Sequence, residues 1–235
     1  MSSSLSSKIS IIIPVLNESH ILAGLIDLIK KNSSTNTIEE IILVDGGSTD
    51  NTVEIAVGLD LKIISSKKGR AHQMNTGAKI AKGEILYFLH ADTLPPKKFD
   101  NFIIKAYKAG NNTGCFRMEF DSKNLFLRGF AYLSKINHTL CRGGDQSLFI
   151  SKQLFEQENG FDERYLIYED SEFIRRLYKT NKFIVLPQKV ITSARKYREK
   201  GWINVQFHFG MIHLKNYLGA GPNDLYRYYQ KHLVV

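Results

Sequence analysis

The chain has 235 residues, 43% hydrophobic and 23% charged, enough to bury a core without disulfides or a structural metal, so low-complexity, collagen-like and disulfide-scaffold classes are excluded. Cys115 and Cys141 fit no metal-ligand spacing and read as partly buried thiols in a reducing compartment. Net charge is +9 and sits mainly in the second half, where residues 121–235 carry 18 Lys and Arg against 11 Asp and Glu; residues 1–120 carry 14 against 12. Such a field attracts a diphosphate, an anionic membrane face or nucleic acid, and by itself does not choose among them.

Short β-branched runs alternate with helical stretches, the pattern of a largely parallel sheet with crossover helices. Ile9 to Val15 reads as a buried strand. Asn17 and Ser19 offer caps for a helix with Ile21, Leu25, Leu28 and Ile29 on one face. Ile41 to Val44 is a second strand, turning at Asp45, Gly46 and Gly47 and re-entering helix near Ser48 to Asp50. Ile63 and Ile64 mark a third, followed by a Lys/Gly loop and a helix through Met74, Ala78 and Ala81. Ile85 to Leu89 is a fourth, breaking at His90-Ala91-Asp92 before Pro95 and Pro96 open another helix. Beyond it, Cys115 to Phe120 and Ser147 to Ile150 read as strands, Asp170 to Tyr178 as a helix with Phe173, Ile174 and Leu177 inward. Phe183 to Leu186 and Val190 to Thr192 read as two strands around a Pro187 turn, and helices over 203–217 and 223–232 close the chain.

Ligands of an open parallel sheet collect beyond the carboxyl ends of its strands, where Asn17-Glu18, Asp45 and His90-Ala91-Asp92 fall. Any one of these could merely make a turn; three together, each after a buried run, point to one crevice. A carboxylate behind a rigid strand, such as Asp92, suits Mg²⁺ or Mn²⁺ whose remaining ligands are diphosphate oxygens and water. His90 is a candidate neighbour of that ion. Arg70, opening the third helix after Lys67, Lys68 and Gly69, can meet phosphate, with Gln73 and Asn75 adding polar reach.

These segments resemble family 2 glycosyltransferases of the GT-A fold. The likeness runs through ISIIIPVLNES, ILVDGGSTDNT, GRAHQMNTGAKIAKG, LYFLHADT, GDQSLFISKQLFEQENGFDE and IYEDSEFIRRL. The GRAxQMN and LHADT forms are similar to those of a small bacterial subgroup of that family. The resemblance implies an α/β GT-A fold with a mostly parallel central sheet, flanking helices and a helical C-terminal segment. It implies that Pro14, Asn17, Glu18, Asp45, Gly47, Arg70, Gln73, Asn75, Ala91 and Asp92 serve the nucleotide-sugar, with Asp92 as metal ligand. The family's usual Asp-x-Asp motif reads His90-Ala91-Asp92 here, so its first carboxylate is absent. Asp170 is implied as general base, with Glu169 orienting either that base or the acceptor. Gly143 and Gly144, Asp145 and Gln146 would line the acceptor side, and Arg195 and Arg198 would neutralise the departing diphosphate.

The expectation is a metal-dependent, inverting transfer of a sugar from a nucleoside diphosphate donor to a hydroxyl acceptor, with Mn²⁺ or Mg²⁺ as cofactor. One domain is expected over residues 1–235: a nucleotide-binding half at 8–110, an acceptor and catalytic half at 111–195 and C-terminal helices at 196–235. No nucleic acid partner is expected. No apolar run approaches the roughly 20 residues of a membrane span, and Met1 to Ser7 lacks the charged start and apolar core of a leader, so a cytoplasmic location is expected, with peripheral contact to the inner membrane face through the basic C-terminal region. A sugar-phosphate nucleotidyltransferase would carry a Gly-rich GGxGTRL-type loop where this chain reads PVLNES. An inert nucleotide- or membrane-binding module is the alternative from outside the enzymes.

Overall fold

A computed structural model describes residues 7–180 and 182–234; most of the Met1 to Ser7 stretch read for a leader lies outside the described residues. The strands are β1 (Ile9–Val15), β2 (Ile38–Asp45), β3 (Lys62–Ser65), β4 (Ile85–Phe88), β5 (Thr93–Leu94), β6 (Thr113–Phe120), β7 (Leu148–Ser151) and β8 (Phe183–Thr192). The helices are α1 (Ser19–Asn32), α2 (Thr52–Gly58), α3 (Arg70–Ile80), α4 (Phe99–Lys108), α5 (Leu125–Leu133), α6 (Lys152–Gln157), α7 (Glu169–Thr180), α8 (Arg195–Lys200), α9 (Trp202–Tyr217) and α10 (Pro222–Leu233).

The strands form one sheet in the order β3-β2-β1-β4-β7-β6-β8-β5. The block β3-β2-β1-β4 is parallel, as expected from its βα units, and β6 runs parallel to β8. β7 is antiparallel to both β4 and β6, so the sheet reverses direction in its middle, and β5 is antiparallel to β8. β1 is buried along its whole length and apolar apart from Ser10, because helices cover both its faces. Ile9, Ile11, Ile13 and Val15 pack with Leu22, Ile26 and Ile29 of α1 and Phe99 and Ile103 of α4, whereas Ile12 packs with Met74 and Ala78 of α3 and Phe173 and Ile174 of α7. The period-2 alternation of the strand thus assigns two cores to one segment. Gly77 lets α3 lie close: a Cβ there would stand 2.5 Å from Ile12 Cγ2 and 3.0 Å from Val44 Cγ2.

Several local expectations are corrected. Asn17 and Ser19 do not cap α1: Glu18 occupies the cap position, and Asn17 takes a positive φ of 57° to bend the chain away from β1. Leu22 and Ile26, rather than Ile21 and Leu28, are the buried partners of Leu25 and Ile29. α2 begins at Thr52, and α4 at Phe99 beyond the Pro95-Pro96 pair, which leaves room for β5. Phe183 to Thr192 is one strand: Phe116 and Arg117 are consecutive partners of Leu186 and Lys189, so Pro187 and Gln188 bulge out of the ladder. Pro lacks the amide a ladder needs and is tolerated at such a bulge. The SARKYREKG segment, which can read as a basic surface turn, contains α8.

The last helices build a small core of their own around Ile167, Val205, Ile212, Leu225 and Leu233. They are tied to α7 by an Arg175 Nη1 donation to Asn216 Oδ1 at 2.8 Å, and to the chain before it by Tyr168 Oη and His213 Nδ1, 2.9 Å apart. Among the described residues no helix is long and apolar enough to cross a membrane.

Candidate active site

A cavity of about 680 Å³ opens beyond the carboxyl end of the parallel block, where β4 meets the reversed part of the sheet. Pro14 enters it from the end of β1 and Glu18 from the loop beyond; His90, Ala91 and Asp92 after β4; Gly143, Gly144, Asp145 and Gln146 before β7; and Glu169 and Asp170 from the first turn of α7. A second hollow of about 330 Å³, lined by Arg195 and Glu199, shares Asp92, Ser193 and Lys196 with it. Asp92 and Asp170, far apart in sequence, therefore face one cavity. Asp92 and Ser193, which border both hollows, directly flank the two-residue pairing of β5 with the end of β8, and Ser193 N–H donates to the Asp92 carbonyl at 3.2 Å.

The charges in this cavity are coupled. Arg70 Nε lies 2.7 Å from Glu169 Oε1, and His90 Nε2 lies 3.5 Å from Asp170 Oδ2. Burial pushes the Glu169 carboxyl up to about 7; Arg70 opposes that rise, and the neighbouring Asp170 charge adds to it. Burial acts on Asp170 in the same direction, but its hydrogen bond and charge pairing with His90, helped by Arg70, outweigh it and hold Asp170 below the usual carboxylate range. The His90 imidazole is the mirror case: burial opposes its charge, the Asp170 carboxylate prevails, and its affinity for a proton rises. Of the two adjacent carboxyls, Glu169 is thus the one that takes a proton first, and Asp170 stays ionised. The first turn of α7 favours that anion. Desolvation inside the cavity also raises Asp145 and Glu18, with His90 and Arg195 respectively pulling the other way.

Gly144 allows the 3-10 turn at Gly144–Gln146 to press against these groups: a Cβ there would stand 2.1 Å from Asp170 Oδ2 and 2.5 Å from His90 Cε1. Any other residue would displace one of them.

The other residues singled out in the sequence lie in less direct positions. Asp45 is buried and its carboxylate accepts from the amides of Gly47 (2.9 Å) and Ser48 (3.1 Å), holding the turn after β2. Asn17 Oδ1 accepts from Thr49 N–H at 2.8 Å, joining the loops after β1 and β2. Gln73 spends its amide on the carbonyls of Val15 (2.8 Å) and Val44 (2.7 Å), and Asn75 pairs with both backbone groups of Phe161. Asn17, Asp45, Gly47, Gln73 and Asn75 do not line the cavity. Gln146 does, but its amide is committed to the Cys141 carbonyl at 2.6 Å and to Arg142. Arg195 approaches Glu18 Oε1 at 3.9 Å and His20 Nε2 at 3.1 Å, while Arg198 turns to Asp121 Oδ1 at 3.0 Å and lines neither hollow.

Sequence reasoning missed the opposite wall, formed by Met118, Phe120, Phe130, Leu133, Leu140 and Phe209. It also missed Arg142, a buried guanidinium that donates to the Ser134 carbonyl at 2.9 Å and to Tyr178 Oη at 3.2 Å, and so ties down the loop before the 3-10 turn. A lone Arg in an otherwise uncharged stretch was the available signal.

Among the described residues no group of three His, Cys, Asp or Glu side chains could hold a metal ion unaided. The Asp92 carboxylate accepts no hydrogen bond from them, and it is half-buried at the junction of the two hollows. A free carboxylate in that position fits a hard cation completed by ligand oxygens and water.

Residues 10–153, more than half of the chain, match the model of the family described as Glycosyl transferase family 2. The chain belongs to this family. Within glycosyl transferase family 2, a "PGL/p-HBAD biosynthesis glycosyltransferase" of Mycobacterium tuberculosis is 39% identical over 90 residues, 35% of this chain and 34% of that protein, so the match spans about a third of the relative's length. The mannosyltransferase PcManGT from Pyrobaculum calidifontis, solved with GDP-Man and Mn²⁺, superposes with a TM-score of 0.69 at 18% identity, covering 96% of this chain and 70% of that one. S. aureus TarS 1-349 in complex with UDP-GlcNAc gives a TM-score of 0.64 at 18% identity, covering 79% and 58%. These likenesses establish the GT-A architecture of this family member.

Proposed function

We propose that the protein is an inverting glycosyltransferase that moves a sugar from a nucleoside diphosphate donor to a hydroxyl acceptor, assisted by Mn²⁺ or Mg²⁺. The observation that carries the reading is the convergence on one cavity of Asp170, kept ionised by His90, and Asp92, whose carboxylate accepts no hydrogen bond from the described residues. Solved neighbours of the same fold bind GDP-Man with Mn²⁺ or UDP-GlcNAc, which supports the donor class.

In this reading Asp170 accepts the acceptor hydroxyl proton as the oxygen attacks the anomeric carbon opposite the leaving diphosphate. His90 pairs with that carboxylate at 3.5 Å and resists its premature protonation. Arg70 and Arg195 face the diphosphate from two sides of the cavity system, the first fixed by Glu169 and the second by Glu18. A divalent cation held by Asp92 would supply charge neutralisation at the diphosphate. Residues 8–110 would hold the nucleotide, with Asn17 and Asp45 acting by shaping the loops beside it, and residues 111–195 the acceptor. An anionic inner membrane face is the proposed peripheral partner.

A thermal-shift screen with UDP- and GDP-sugars, with and without Mn²⁺, tests this reading. Cation-dependent stabilisation by one nucleotide class, abolished in Asp92→Ala, is the expected result; no stabilisation by either class in the presence of cation contradicts it. Full turnover by Asp170→Asn would remove Asp170 from the role of base.

A further inference from the structure

Two segments share an unusual composition. Residues 122–144 and 200–223 contain no Asp or Glu, while carrying Lys123, Arg128, Lys135 and Arg142 in the first and Lys200 and Lys215 in the second. Each also turns apolar side chains outward. On α5 and the loop after it, Leu125 is 78% exposed and Leu140 75% exposed, with Phe126, Phe130, Leu133 and Ile136 also open to solvent. On α9, Ile203, Phe207, Leu214 and Tyr217 are exposed at steps of four, seven and three residues, with the exposed Gly210 filling the gap. That spacing makes one stripe along the helix.

The two surfaces are joined. The Phe126 and Trp202 rings lie 4.1 Å apart between centroids, so the start of α5 abuts the start of α9. Both helices also wall the cavity, through Phe130, Leu133 and Gly210. Folded monomers rarely expose connected apolar surface of this kind unless something covers it. Aromatic and aliphatic residues on one face with Lys and Arg beside them, and no acid, match the chemistry of an anionic lipid interface. Lys123 and Arg128 are exposed and have no carboxylate partner among the described residues, so their charge is available to headgroups. A soluble acidic protein would meet the same cations but gives no reason for the apolar stripe.

We infer that the outward faces of α5 and α9 form a docking surface for an anionic bilayer, inserting Leu125, Phe207 and Tyr217 at headgroup depth and setting the cavity mouth against the membrane. The surface differs from the basic C-terminal helix α10, and the inference does not depend on the chemistry carried out in the cavity.

The test is co-sedimentation of the full chain with vesicles of phosphatidylcholine alone or mixed with phosphatidylglycerol, which needs neither donor nor acceptor. Preferential binding to the mixed vesicles is expected. Leu125→Glu combined with Phe207→Glu should weaken it at least about tenfold, and Arg128→Ala about fivefold, with thermal midpoints unchanged because these side chains are exposed. Lys231→Glu on α10 should leave binding within about twofold. Equal or absent binding to the two vesicle types overturns the inference, as does loss through Lys231→Glu but not through the Leu125/Phe207 pair. Light scattering that shows a dimer dissociated by the same pair would assign the face to a second copy instead and also overturn it. None of these outcomes bears on the donor screen.

Discussion

The loops after β1 and β2 and the cavity wall around α7 are both polar, yet they spend that polarity in opposite ways. In the first, Asn17, Asp45 and Gln73 are bonded to neighbouring backbone, and each group has its partner within the fold. In the second, Glu18 Oε2 and Glu169 Oε2 are buried without a hydrogen-bond partner among the described residues, and four charged groups adjust one another's protonation. The first region is a rigid floor; the second stores the electrostatic tension that chemistry can use.

That contrast can be broken or sharpened by substitution. The largest effect is expected for Asp170→Asn, which should lower turnover by about 10² to 10⁴. Gly144→Ala inserts a Cβ where Asp170 Oδ2 stands, and should cost about 10² in turnover by displacing the base; single-turnover assays with saturating donor would show it. In the floor the loss should fall on stability instead. Gln73→Ala removes the side-chain donations to the Val15 and Val44 carbonyls, leaving Val15 with the Gly46 N–H alone, and should destabilise the fold by about 1–3 kcal/mol in denaturant titration, with no separate effect on the chemical step.

A pH experiment sharpens the same line. Because the Glu169 affinity for a proton is raised on folding, from 4.5 to about 7, the folded state binds more protons than the unfolded one within that window. Stability should therefore fall as pH rises from about 4.5 to 7, and Glu169→Gln should flatten that part of the profile. The smallest effect is expected for Arg198→Ala, whose exposed pair with Asp121 is worth under about 1 kcal/mol and whose removal should leave turnover unchanged.

Much of the scaffold was legible in the pattern of residues. β1 and the inward set Phe173, Ile174 and Leu177 of α7 follow from apolar patterning alone, and the carboxylate after β4, Asp92, announces the cavity. What a linear pattern leaves open is how polar groups are consumed. Gln73 and Asn75 have the chemistry to meet a ligand, and only the spatial position of the carbonyls they reach shows that the fold uses them itself. The apolar wall was hidden for a related reason: LFLRGFAYL has the spacing of a helix packed on both sides, and its actual exposure depends on how few neighbours cover it. Pro187 misled in the other direction, since a strand can carry it wherever its missing amide falls in a bulge.

The short β5 and β8 ladder has one more consequence. Thr93 faces Thr192 and Leu94 faces Ile191, so the spacing from Thr192 to Arg195 acts as a ruler that fixes how far this guanidinium stands from Asp92. An insertion between Thr192 and Arg195, in the short link that Ser193 N–H pins to the Asp92 carbonyl, would carry the guanidinium away from Asp92 and misalign the anion-facing groups. The same insertion beside Gln188 would be absorbed by a kink that already exists. Length variation in this part of the chain should thus accumulate at the proline and be purged three residues before the arginine.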